Sequence, residues 1–340
     1  MKTFLKLPAE ERQLAFQQVV GEMGLQAVSV EKDFWVCWTL RELFSMPGVR
    51  EHLTFKGGTS LSKVWKFIER FSEDIDIIVD KVALGFGGDA APDRAPSKKQ
   101  RRERLEKLME ASRQWVQGTL QPALDARLRE TLGEAGWRLE VDPDLADGQC
   151  LLFHYPALFT ATAAGYVRPV VKIELGARSD DWPHETKVIQ PYVIEFFPAF
   201  DPDATFSVNV LAAERTFWEK VTLLHAENHR PDPGKLKPRM SRHWSDVAAM
   251  SIGDSFTDQE LSLDLLRQVI EFKKTYFASG WAHYETAVPG TLRIVPNQAL
   301  EKILRHDYDQ MKEMFWGAPV SFDEVLAQLN ALEHRINSLK

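Results

Sequence analysis

The sequence predicts an α/β (α+β) half followed by a helical half. Three observations carry this reading. Short β-branched or alternating runs recur through the first 200 residues, interleaved with helix-spaced patterns. From Leu211 onward only helix-spaced patterns recur. A length of 340 residues leaves room for two domains. The expected division is 1–200, an α/β domain with N-terminal helices, and 201–340, a helical domain, with the boundary near Pro202.

The elements follow in order. Ala9–Phe44 reads as two helices, and Leu53–Lys56 as a short strand. Gly57-Gly58 comes next, then a pattern in which Leu61, Val64, Trp65 and Ile68 recur at helix spacing. Ile75–Val79 is a β-branched strand, and Asp80–Ser97 is loop material rich in glycine and proline. A charged helix is expected over Lys98–Thr131, breaking near Gln121-Pro122, because proline disfavours helix in the residue before it. Strands are expected at Trp137–Val141, Leu151–Tyr155, Val170–Leu175 and Val188–Phe196. Helices are expected at Leu211–Ala226, Arg242–Met250, Gln259–Tyr276, Gln298–Phe315 and Phe322–Leu339.

Composition narrows the function classes. With 44% hydrophobic and 27% charged residues, the chain can bury a sizeable core without staples. Two cysteines, Cys37 and Cys150, exclude a disulfide scaffold and a thiolate zinc cluster, and fit a reducing compartment. Met1–Leu5 lacks a charged-then-apolar leader pattern, so a cytoplasmic protein is expected. The most apolar stretch, Leu151–Val167, is broken by His154, Pro156 and Gly165, so no membrane span is expected. The net charge of −7 excludes a whole-chain electrostatic binder of nucleic acid but leaves local basic patches open.

One connected unit carries chemistry: a strand, Gly57-Gly58-Thr59-Ser60, a helix, then Asp74-Ile75-Asp76 on a strand. Glycines let backbone approach a ligand closely. Thr59 or Ser60 can cap the helix, whose N-terminus favours an anion such as a triphosphate. Side chains alternate along a strand, so Asp74 and Asp76 share a face and can share divalent ions with substrate phosphates. Either half alone is weak. Asp142/Asp144, Asp201/Asp203 and Asp307/Asp309 repeat the acidic spacing as ordinary surface pairs, and Gly87-Gly88 sits in a plain loop. Their combination at neighbouring strand ends is specific.

The stretch Lys56-Gly-Gly-Thr-Ser-Leu-Ser-Lys-Val-Trp65, with Arg70-Phe-Ser-Glu-Asp-Ile-Asp-Ile77, closely resembles the first motif of the AbiEii/AbiGii toxin family. That family has the nucleotidyltransferase-superfamily fold, so the resemblance implies a mixed sheet flanked by helices, followed by a C-terminal helical domain.

Three later stretches gain a role from the same resemblance. In Val170–Gly176, Val171, Ile173 and Leu175 point one way, and Lys172 and Glu174 the other. The residues alone allow a surface Lys–Glu edge or a third carboxylate beside Asp74 and Asp76; the resemblance favours the third carboxylate. Lys220 flanks a helical stripe of Leu211, Phe217, Val221 and Leu224 and by itself reads as a snorkelling surface lysine. It matches the lysine of the family's third motif, Glu-x5-Lys, with Glu214. Arg242 and Asp246 lie four apart behind an expected cap, Ser241, and by themselves read as an ordinary ion pair. The family's fourth motif is similar, a basic residue and then an Asp. There Asp246 orients Lys220 or a substrate hydroxyl, and Arg242 contacts the nucleotide. Between these motifs, His229–Arg242 holds Arg230, Lys235, Lys237, Arg239 and Arg242 against Asp232. That loop reads as a phosphate or RNA contact or as a solvated linker. The run Lys98–Arg104 reads as a solvated face.

The resemblance covers Gly57 to Asp246. It implies a cytoplasmic bacterial toxin of an AbiE-type toxin–antitoxin or phage-defence pair, related to the MenT-type toxins. Such a toxin transfers a nucleotide from an NTP to the 3′ end of tRNA and is countered by a separately encoded antitoxin. Asp74, Asp76 and Glu174 would hold Mg2+ or Mn2+. Gly57, Gly58, Thr59 and Ser60 would cradle the triphosphate, and Lys220 would neutralise its charge. Two alternatives stay open: a transferase acting on a protein or small molecule, and a GTP-binding toxin without turnover. The region after Ser251 carries no motif and reads as packing helices.

Overall fold

A computed structural model describes residues 1–159, 167–252 and 261–339. Gly165 and the start of the helix expected at Gln259 lie outside the described residues. The chain forms two compact units. One holds Met1–Val64 and Phe71–Leu211, the other Trp65–Arg70 and Ala212–Lys340.

The first unit is built on a seven-stranded mixed sheet. Its elements are α1 (Lys2–Leu5), α2 (Ala9–Met23), α3 (Ala27–Ser45), β1 (Leu53–Lys56), α4 (Gly57–Lys63), β2 (Asp74–Val79), α5 (Lys98–Trp115), α6 (Gln121–Leu132), β3 (Arg138–Val141), β4 (Cys150–His154), β5 (Val171–Gly176), β6 (His184–Ile189), α7 (Tyr192–Phe196) and β7 (Phe206–Leu211). The strand order is β3-β4-β5-β2-β1-β7-β6. β2 runs parallel to β5 and β1 parallel to β7, while the remaining neighbours are antiparallel.

Alternation sorts the two faces. Ile75 and Ile77 on β2 and Val171, Ile173 and Leu175 on β5 are buried, with Asp74, Asp76, Lys172 and Glu174 between them partly exposed. Helix α3 packs against β2, β5 and β7. It is buried nearly all round, from Val28 to Leu40, as a core helix must be. Its Trp35 and Trp38 meet Phe153, and Trp35 stacks on Tyr155 at 5.4 Å.

Several expectations change. The strand expected over Val188–Phe196 ends at Ile189. Pro191 has no N–H to give a ladder and instead opens α7. Phe206–Leu211, which falls inside the expected helical domain with no strand expected there, is β7, paired with β1 and β6. The sheet unit therefore runs to Leu211 rather than to Pro202. The helix after Gly-Gly stops at Lys63, and Trp65–Arg70 belongs to the other unit. The charged helix does not break at Pro122. A π turn, Val116–Leu120, absorbs the proline, and Gln121 N–H reaches back to the Val116 carbonyl.

The second unit is helical: α8 (Ala213–Asn228), α9 (Ser241–Met250), α10 (Leu263–Tyr276), α11 (Gln298–Gln310) and α12 (Phe322–Ser338). Helix α8 packs on α9 and α10, and α9 also packs on α11 and α12. Phe217, Trp218, Val221, Leu224, Trp244 and Val247 are fully buried among them. Ser241 is not the cap of α9. It is the first helical residue, and its hydroxyl donates to Asp307 at 2.6 Å. The helix expected through Phe315 ends at Gln310. No described helix is long and apolar enough to cross a membrane.

Candidate functional site

The predicted residues gather in two clusters, one in each unit. In the sheet unit, Lys56 on β1 faces Asp76 on β2, and Asp76 faces Glu174 on β5. Cys150 on β4 faces Glu174 in turn. One register step away, Asp74 faces Lys172. Register partners share a face of the sheet, so Asp74, Asp76 and Glu174 crowd one patch. Carboxylates at strand spacing repel, and Lys172 relieves this by pairing with Glu174 at 2.5 Å. Burial works to lower the Lys172 ammonium, but Glu174 outweighs it and the net direction is up.

The glycine turn is fitted to Asp76. Gly57 has φ +83, and an ideal Cβ there would run into Asp76 Oδ2 and lie 2.7 Å from its Cγ. Only a glycine meets both conditions. Thr59 and Ser60 are buried rather than capping α4. The Thr59 hydroxyl bonds the Asp74 carbonyl at 2.5 Å, tying turn to strand, and the Ser60 hydroxyl donates to the Gly57 carbonyl at 2.8 Å.

Beneath this patch, α3 carries three buried charges that the sequence reading did not single out. Lys32 pairs with Glu73, next to Asp74, at 2.7 Å. Asp33 pairs with Lys63, the last residue of α4, at 2.9 Å, and accepts the Tyr192 N–H at 2.7 Å. Glu31 accepts the N–H groups of Leu158 and Phe159. The end of α4 and the start of β2 are thus both bolted to one helix. A run of three charges inside an otherwise apolar helix was the available signal.

In the helical unit, Lys220 on α8 and Asp246 on α9 meet at 2.9 Å. Asp246 is 1% exposed. It takes a two-pronged grip from Arg70, Nε to Oδ1 at 2.7 Å and Nη2 to Oδ2 at 2.8 Å. Its partners are therefore Arg70 and Lys220, not the Arg242 four residues before it. Burial pushes the Asp246 carboxyl up, but Arg70 and Lys220 outweigh it and hold it well below the usual range. Burial lowers the Lys220 ammonium, and neighbouring Arg70 and Arg242 add to that against the pull of Asp246. Lys220 also donates to His243 Nδ1 at 3.1 Å. Burial, then Lys220 and Arg242, keep that imidazole neutral. Glu214 of the Glu-x5-Lys pattern accepts the Ser262 N–H at 2.7 Å and the Trp218 indole N–H at 3.3 Å, so it fixes helices rather than Lys220.

Arg70 and His243 received no role from the sequence, although both stand inside the motif stretches. Arg70 is set by its surroundings: it bridges Phe315, and Trp316 N–H donates to the Glu69 carbonyl at 3.2 Å. In the basic loop, Arg230 pairs with Glu227 and lies 4.3 Å over the Trp281 ring, while Lys235, Lys237 and Arg239 are exposed. Arg104 of the second basic run bonds the carbonyls of Asp89 and Ala91.

Among the described residues no three His, Cys, Asp or Glu side chains close on one point as a ready metal cage. The donor set on the sheet still fits a magnesium-type ion. All three donors are hard oxygens, and such an ion uses one or two carboxylates plus water and substrate phosphate.

No curated protein matches the chain in sequence. Among solved structures, it is similar to MenT4, the nucleotidyltransferase toxin Rv2826c from Mycobacterium tuberculosis H37Rv. The match has a TM-score of 0.53 and 17% identity and covers 98% of this chain and 91% of that one. At that identity the likeness is one of fold. A family model described as nucleotidyl transferase AbiEii toxin, type IV toxin–antitoxin system, matches residues 38–328. That span contains both clusters, and the chain belongs to the AbiEii family of nucleotidyltransferase toxins of type IV toxin–antitoxin systems.

Proposed function

We propose that this nucleotidyltransferase needs Mg2+ or Mn2+ and transfers a nucleotide from an NTP to the 3′ end of tRNA. Growth arrest in the bacterial cytoplasm follows, as part of a phage-defence or related pair, and a separately encoded antitoxin opposes it. The observation that carries the catalytic part is the close fit of Asp76 against Gly57, where any side chain would displace the Asp76 carboxylate.

The roles are assigned within each unit. Asp74 and Asp76, with Glu174 beside them, are the residues that would hold the metal. Bound there, it would supply positive charge for the transferring phosphoryl group and the departing pyrophosphate. Since Thr59 and Ser60 spend their hydroxyls inside the turn, the backbone of Gly57, Gly58, Thr59 and Ser60 is what remains to meet phosphate oxygens. In the helical unit Lys220 supplies a buried cation for a phosphate, Asp246 and Arg70 fix its position, and Arg242 adds charge. The acceptor hydroxyl attacks the α-phosphorus in line, and the bond to pyrophosphate breaks. Catalysis of this kind is mostly positioning and charge stabilisation.

A protein or small-molecule acceptor is the second reading, and the net charge of −7 favours it. The test incubates the chain with each α-labelled NTP, a divalent metal and total cell extract. Label in tRNA with pyrophosphate release supports the proposal, and Asp76→Ala should abolish both. Label in protein or small molecules gives the second reading. Nucleotide bound without label or pyrophosphate identifies a GTP-binding toxin without turnover. Overproduction should arrest growth, with relief by Asp74→Ala or Lys220→Ala.

A further inference from the structure

The helical unit contains a half-open cavity of about 370 Å³ whose walls include Phe67, Glu69, Ser245, Phe315, Trp316 and Gln328. We propose that it is a nucleobase pocket and that the base of the NTP stacks in it. This rests on the transferase reading above and names the part of the nucleotide that the charged clusters do not address.

Size comes first. The volume sits at the lower end of the roughly 300–1,000 Å³ range of small-molecule pockets, which suits one nucleoside. Chemistry comes second. Four aromatic residues line it, Tyr308 with Phe67, Phe315 and Trp316, and aromatic rings stack on any base because every base has a π-face. The polar groups include an ammonium (Lys66), a carboxylate (Glu69), an amide (Gln328) and a hydroxyl (Ser245). Ser245 donates to the Arg242 carbonyl at 3.2 Å and keeps its lone pairs for a second donor. Aromatic rings together with a few donors and acceptors suit a planar heterocycle with polar edges.

Position comes third. The pocket wall is locked by backbone to the charged cluster of the same unit. Phe315 bridges Arg70, and Trp316 N–H donates to the Glu69 carbonyl at 3.2 Å. Arg70 in turn grips Asp246. Ser245, another lining residue, directly precedes Asp246 on α9. A base seated here is therefore registered to the Lys220–Asp246 pair through short backbone links. The same chemistry could come from the terminal base of an RNA acceptor, and the experiment separates the two sources.

The full chain is titrated by calorimetry with the four NTPs, the four nucleosides and inorganic tripolyphosphate, and KM is measured for NTP and for acceptor. Trp316→Ala should weaken NTP and nucleoside binding and raise the NTP KM roughly tenfold or more, the loss of one base–aromatic stack. Tripolyphosphate binding and kcat should stay within about twofold. Trp316→Phe keeps a ring and should retain binding, and Gln328→Ala should change the ranking of the four NTPs without weakening tripolyphosphate. These two carry the test where Trp316→Ala does not fold. If Trp316→Ala raises only the acceptor KM, the pocket holds the acceptor's base and the NTP assignment falls. If nucleoside binding and both KM values are unchanged, the nucleobase pocket is overturned. If no NTP is turned over yet Trp316→Ala abolishes nucleoside binding, the transferase reading fails and the pocket stands.

Discussion

Replacing Gly57 by alanine perturbs the candidate site at one atom. The added Cβ would run into Asp76 Oδ2 and sit 2.7 Å from Asp76 Cγ, where ordinary contact begins at 3.4 Å. Relief therefore moves the carboxylate by at least about 0.7 Å, the difference between those two distances. It cannot come from the turn without cost, because Gly57 also has φ +83. Holding alanine in that region costs about 1–2 kcal/mol, which corresponds to roughly 2–8 °C in Tm for a unit of this size. A displacement near 1 Å of a positioned group costs on the order of 100-fold in rate. Gly57→Ala should thus lose about two orders of magnitude in nucleotide transfer while still folding. Gly176→Ala is the matched control, since a Cβ there meets nothing within 4 Å. The assay is transfer from α-labelled NTP, with thermal melting in parallel. Activity of Gly57→Ala within about threefold of Gly176→Ala would refute the argument that Asp76 must sit against this turn.

Asp246→Asn removes the charge between two buried cations and should cost about 3–5 kcal/mol, read from urea unfolding, along with activity. Burial and then His229 push the His225 imidazole from 6.5 down to about 4. Between those values the folded chain binds fewer protons than the unfolded chain, so stability falls as pH drops through that window. Asp246 has the same sign in a lower window: its contribution is present at neutral pH and is lost only as pH falls from 3.8 toward its depressed folded value. Urea midpoints between pH 7 and pH 5 should therefore decline in the wild type and decline less in His225→Gln, and Asp246 should not contribute to that slope. If the acceptor is tRNA, replacing Lys235, Lys237 and Arg239 by Ala should weaken its binding at every sequence. It should also flatten the salt slope by about 0.7–0.9 per lost phosphate contact. NTP binding should change little; filter binding at several salt concentrations decides, and lost NTP affinity with unchanged tRNA affinity would place the loop on the triphosphate.

The sequence by itself determined the parts that depend on local period and spacing. Asp74 and Asp76 share a face because strands alternate, and the five strands from Leu53 to Leu175 follow from short apolar, alternating or β-branched runs between turns. Family membership was legible for a related reason: the glycine turn and the acidic strand are joined by a short, specific stretch. Other features were decided only by tertiary structure. Phe206–Leu211 is a strand because it pairs with Leu53–Lys56 and His184–Ile189, and no periodicity announces those partners. Lys220 read as a surface lysine because one helix shows only its own face. Packing of Ser241–Met250 against it buries the lysine and supplies Asp246. Arg242 looked like the partner of Asp246 by helix spacing, yet Arg70, 176 residues away in sequence, holds that carboxylate with a fork that a four-residue spacing does not predict. The charges Glu31, Lys32 and Asp33 were invisible as a scaffold for the same reason. A buried charge is tolerable only with a partner, and each of theirs lies far along the chain.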